Sequence, residues 1–87
     1  MFKNKSVTGK NNICGEKIAV LRKSSVPKMS QRMLAERLQL LGIDVDKNAV
    51  QRIESGQRFV TDLELLALAK VFNVKCDDFV DWYKFVD

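Results

Sequence analysis

Histidine is absent from the 87 residues, proline occurs once, and glycine occurs four times. Each scarcity closes off a class of answers. Without histidine the chain lacks the side chain that most often serves as a general base near neutral pH. The two cysteines, Cys14 and Cys76, form no CxxC pair. A structural zinc site needs about four Cys or His ligands, so this chain cannot build one alone. Few prolines and glycines, and no stretch of period-2 alternation, argue against a turn-rich β fold. No segment approaches the ~18 consecutive apolar residues of a membrane span. Met1 to Lys10 is polar and lacks the apolar run of a secretory signal. These absences lead to the expectation of a cytoplasmic chain with no membrane segment, metal or cofactor. A single disulfide is possible on paper, but two reduced thiols are the commoner arrangement in that compartment.

What is present suits one small domain. Hydrophobic residues make up 46% of the chain, enough for a single packed core. The net charge of +4 is unevenly spread. Residues 1–58 carry 12 Lys and Arg against 5 Asp and Glu, whereas residues 59–87 carry 3 against 6. A positive front with an acidic rear is what a protein meeting a polyanion shows, although ordinary solubility would also explain it.

The pattern along the chain is helical. Residues 1–12 hold three lysines and few apolar groups, and read as a loose basic arm, either plainly disordered or touching a partner. A first helix is expected over 13–24, with Cys14, Ile18 and Leu21 on one face, stopped by Pro27. Ser30 can cap a second helix over 30–41, striped by Leu34, Ala35, Leu38 and Leu41 and followed by Gly42. Asp46 can cap a third over 46–55, whose inner edge is Val50 and Ile53 and whose outer face shows Lys47, Asn48, Gln51, Arg52 and Ser55. Thr61 with Glu64 matches a capping box for a fourth helix over 61–72, through Leu65, Leu66, Ala69 and Phe72. Cys76-Asp77-Asp78 opens an expected short fifth helix to residue 84, placing Phe79, Trp82, Tyr83 and Val86 on one side.

Two short helices in tandem, the second polar on its outer face, are what a helix-turn-helix requires. The residues Ser30-Gln31, Leu34-Ala35, Ala49-Val50-Gln51-Arg52-Ile53-Glu54-Ser55-Gly56 and Glu64-Leu65-Leu66-Ala67-Leu68-Ala69-Lys70-Val71-Phe72-Asn73-Val74 resemble the Cro/repressor-type, XRE-like helix-turn-helix family, over about residues 15–80. The resemblance implies an all-α, five-helix, lambda-repressor-like DNA-binding domain. It implies a sequence-specific transcriptional regulator, in sense a repressor, inserting helix 46–55 into the major groove of double-stranded DNA. Two departures stand out. Met33 replaces the acidic residue that commonly completes a capping box with Ser30. The stretch from Gln39 to Val45 is longer than the shortest connections, so either helix two extends or the loop bulges.

The resemblance assigns base reading to Lys47, Asn48 and Arg52, with Gln51 on the same helix. Lysine and arginine donate to guanine O6 and N7, and Asn or Gln pairs with adenine N6 and N7. The bland alternative for such a face is simple solvation. Phosphate contacts fall to Ser30, Gln31 and Arg32 at the start of helix two, and to Ser55 and Arg58 beyond helix three, with Lys28 a weaker candidate. Glu54 would repel phosphate if it faced outward. The resemblance turns it inward to a structural ion pair with Arg22.

The aromatic tail, Trp82, Tyr83, Phe85 and Val86, either finishes the core or forms a patch for a homodimer. Catalysis is not expected, since there is no phosphate loop or metal cluster and the carboxylates sit mostly at helix starts. The rival reading is an antitoxin or adaptor module acting through protein contacts on the same fold.

Overall fold

The computed structural model describes residues 9–80. Four α-helices come in order, α1 over Gly15–Lys23, α2 over Gln31–Leu40, α3 over Lys47–Glu54 and α4 over Asp62–Phe72, then one 3-10 turn at Cys76–Phe79. The architecture is all-α. Ile18, Leu34, Leu38, Val50, Ile53, Leu68 and Phe79 are wholly buried and draw every element into one core. Burying each such side chain contributes roughly 1.5–3 kcal/mol.

Local chemistry sets most of the helix ends. Ser30 Oγ accepts the Met33 N–H at 3.1 Å, a cap without the return bond that an acid at 33 would add. Asp46 Oδ1 accepts the Ala49 N–H at 2.8 Å, and its charge lies at the positive end of α3. Thr61 and Glu64 form the reciprocal box, with bonds of 3.1 and 3.0 Å. α4 closes on Asn73 in the left-handed conformation.

The connection between α2 and α3 is a bulging loop. α2 stops at Leu40, and Gly42, at φ +84°, turns the chain where a side chain would be strained. The Gly42 N–H donates to Gln39 O at 2.9 Å and the Ile43 N–H to Leu38 O at 3.0 Å. Gln39 Nε2 then donates to Val45 O at 2.8 Å, while the Val45 side chain enters the core. The longer loop is therefore braced at both ends.

Three expectations are corrected. The fifth helix is a single 3-10 turn, because Val80 leaves it in an extended conformation. The remainder of the expected helix, with Trp82, Tyr83, Phe85 and Val86, lies outside the described residues. Leu41 caps α2 at the surface, 38% exposed, and does not extend its buried stripe. On α4 Leu66 is 60% exposed and Leu68 is buried in its place. α4 carries apolar residues around most of its circumference, so periodicity alone selects no single inner face.

Candidate nucleic-acid interface

The inner side of α3 consists of Ala49, Val50 and Ile53, all buried against α1 and α2. Its 3.6-residue period turns Lys47, Asn48, Gln51 and Arg52 outward, and all four are exposed. None of the four is held by a side-chain hydrogen bond or ion pair among the described residues. Ser55, at the helix end, is exposed but donates its hydroxyl to the Arg52 carbonyl at 3.1 Å.

The start of α2 meets the end of α3 through Gln31 and Glu54, and Lys47 from the other end of α3 borders the same region. Lys28, Ser30, Gln31, Arg32 and Lys47 line one open groove of about 730 Å³, with Arg22, Met29 and Met33 contributing to its walls. Ser30 uses its oxygen as a cap acceptor, so its hydroxyl proton is free to point outward. Arg32 and Lys28 are exposed and, among the described residues, uncommitted. Together these cations lie around the start of α2, whose positive dipole end suits an anion.

Beneath the groove runs an ion-pair network. Arg22 Nε donates to Glu54 Oε2 at 2.6 Å and Nη2 donates to Oε1 at 2.9 Å. Arg22 Nη1 also donates to the Met29 carbonyl at 3.1 Å. Gln31 Nε2 donates to Glu54 Oε1 at 3.1 Å, leaving its second amide hydrogen available to a ligand. Both side chains of the Arg22–Glu54 pair are about nine-tenths buried. The carboxylate hydrogen bond holds the Arg22 guanidinium above its ordinary pKa despite that burial. The inward turn of Glu54 thus ties α1, α3 and the start of α2 together.

Arg58, expected at a phosphate, is paired within the chain. Nη1 and Nη2 each donate to a Glu64 carboxylate oxygen at 2.9 Å, and Nη1 also donates to Phe59 O at 3.1 Å. That hydrogen bonding lowers the Glu64 pKa below the ordinary glutamate value and raises that of Arg58. Its charge is already matched within the protein. The acid at 64 was legible as a cap, but its second partner was not.

Asn11, Asn12 and Gly15 were given no role by the sequence, yet they fasten the far end of α3. Asn12 Nδ2 donates to Ile53 O at 3.0 Å and to Arg58 O at 2.8 Å, and its Oδ1 accepts the Gly15 N–H at 2.8 Å. The Asn11 N–H donates to Gly56 O and its Nδ2 to Gln57 O, both at 2.8 Å. The last residues of the supposed loose arm are therefore bound to the domain. Gly15 permits this approach: a Cβ there would collide with the Ile53 carbonyl oxygen and stand 3.0 Å from that of Glu54.

Cys14 and Cys76 are both free. Cys14 is a core residue, and burial pushes its thiol up to about 11. Among the described residues no group of three or more His, Cys, Asp or Glu could hold a metal ion, and no helix is long and apolar enough to cross a membrane.

A braced helix pair whose second member turns an unbonded polar face outward defines a helix-turn-helix domain. The family model described as helix-turn-helix matches residues 27–79, and the chain belongs to that Cro/repressor-type, XRE-like family. Membership in it implies DNA binding. No curated protein and no solved structure matches the chain at a significant level.

Proposed function

We propose that this protein is a sequence-specific transcriptional regulator, in sense a repressor, that reads double-stranded DNA by inserting α3 into the major groove. The observation that carries this reading is the outer face of α3. Lys47, Asn48, Gln51 and Arg52 are exposed together and uncommitted on a helix whose other side is buried. A free α-helix fits the major groove, and these side chains supply the donors and acceptors that base edges demand.

Phosphate oxygens take the donors around the groove: Ser30, Gln31 and Arg32, with Lys28 at its margin. Ser55 joins them once its hydroxyl leaves the Arg52 carbonyl. Arg58 acts chiefly through Glu64, holding the loop after α3, and adds little net charge to the interface. A homodimer would set two copies of α3 roughly 34 Å apart and read a palindrome.

Selection of bound sequences from a random duplex pool, at near-physiological salt, tests the reading. A palindromic consensus with half-sites about one helical turn apart is expected. Enrichment of no sequence, with only salt-sensitive binding of roughly 10⁻⁴–10⁻⁶ M, would overturn it in favour of an interaction module such as an antitoxin.

A further inference from the structure

We infer that Asn11 and Asn12 form a positioning clamp that sets how the C-terminal half of α3 meets bases, and that sequence preference depends on it. The inference rests on the reading of α3 as the DNA-contacting helix. The N-terminal end of α3 is fixed by its own cap, Asp46, and by the brace from Gln39 to Val45. Its other end closes on Gly56, at φ +81°, with the Gln57 N–H donating to Arg52 O at 2.9 Å, and Glu54 ties its inner side to Arg22. There the clamp supplies side-chain donors from a segment 41 to 46 residues distant in sequence.

Asn12 uses all of its hydrogen-bonding capacity for the purpose. The amide nitrogen joins the Ile53 carbonyl, in the last turn of α3, to the Arg58 carbonyl in the loop beyond, and the amide oxygen accepts the Gly15 N–H and the Cys14 thiol at the start of α1. Asn11 adds bonds to Gly56 and Gln57, between those two points. Gly15 brings the positive end of α1 against the carbonyls of Ile53 and Glu54, the negative end of α3. Gln51 and Arg52 project from the turn thus held. Base readout needs donors placed to within a fraction of an ångström, and a helix end free to tilt would blur the contacts made there first.

Asn12→Asp separates the hold on α3 from the bond to the start of α1. The aspartate keeps an oxygen for the Gly15 N–H, where its charge suits a helix N-terminus. It loses both amide donations and sets an oxygen against the Ile53 and Arg58 carbonyls. Asn11→Ala removes one side-chain bond only, and is the milder test should the Asn12 variant not fold. Each variant is put through duplex selection at a temperature where circular dichroism shows it folded.

The expected result is selective. Preference at the base positions that respond to Gln51 and Arg52 substitutions falls roughly tenfold or more in Asn12→Asp, the value of one good base contact, and falls less in Asn11→Ala. Preference at positions that respond to Lys47 and Asn48 is retained. A folded variant whose base preferences are unchanged, or reduced evenly at every position, overturns the clamp and leaves the asparagines a purely structural role. If Asn12→Asp does not fold, unchanged preferences in Asn11→Ala overturn it. Failure of the wild-type protein to select any duplex would overturn the DNA reading itself, and the clamp with it, before a variant is made.

Discussion

The two sides of α3 are built on opposite rules. On the inner side every polar group near the helix is matched: Glu54 takes three hydrogen bonds, from Arg22 Nε, Arg22 Nη2 and Gln31 Nε2. No buried side-chain nitrogen or oxygen among the described residues lacks a partner. On the outer side Lys47, Asn48, Gln51 and Arg52 carry donors and acceptors that the fold leaves to water. A buried donor left unmatched costs stability, whereas an exposed one costs nothing until a ligand replaces the water. The contrast also sorts the arginines. Arg22 and Arg58 are each paired with a carboxylate, while Arg32 and Arg52 are exposed with no charged partner among the described residues.

The largest break in this contrast comes from the buried pair. Glu54→Ala strands the Arg22 guanidinium in the core and should cost about 3–5 kcal/mol in urea or thermal unfolding, a large share of a small domain's stability. A loss below ~1 kcal/mol would show the pair to be solvated in solution. Gly15→Ala comes next. Gly15 opens α1, so a methyl group there gains little helix propensity, and it meets the Ile53 carbonyl oxygen. Overpacking of this kind should destabilise by roughly 1–3 kcal/mol, and a neutral or stabilised variant would mean that α1 and α3 stand further apart.

The outer side should respond in the opposite sense, in recognition without stability. Lys47→Ala and Asn48→Ala should each leave unfolding within about 0.5 kcal/mol of wild type while relaxing base preference by roughly 1–3 kcal/mol at one position. Unaltered preference would remove those residues from the reading face. A finer distinction separates the arginines. Arg32→Ala should lower the slope of log affinity against log salt by about 1, and Arg58→Ala by clearly less, because Glu64 already balances its charge. Equal slopes for the two would place Arg58 on the phosphate after all.

The smallest effect is one of pH. Glu64 titrates below its ordinary value of 4.5 in the folded chain, because Arg58 hydrogen-bonds its carboxylate. Its contribution to stability is complete above the unfolded pKa and is lost as pH falls through the lowered folded one. Glu64→Gln should therefore flatten the acid limb of stability against pH below about 4.5, while lowering stability at neutral pH. An acid limb as steep as that of wild type would assign the effect to other carboxylates.

Much of the domain was fixed by residues near one another in sequence. Ser30, Asp46 and Thr61 begin α2, α3 and α4 because each offers a side-chain oxygen to an N–H three residues on, and Gly42 and Asn73 accept the left-handed turn that comes after a helix. The periodicity of α3 separated its inner and outer faces for the same reason, since a single helix geometry dictates them. What only the tertiary structure decided depends on groups far apart in sequence. The meeting of Asn12 with Ile53, or the choice of Leu68 over Leu66 as the buried leucine of α4, leaves no local mark, because several spacings and several apolar faces are equally allowed until the helices pack. Arg58 was legible as a cation but not as a committed one. Whether a cation finds a carboxylate depends on which chain segment stands beside it, and that is decided when the loop after α3 is laid against the start of α4.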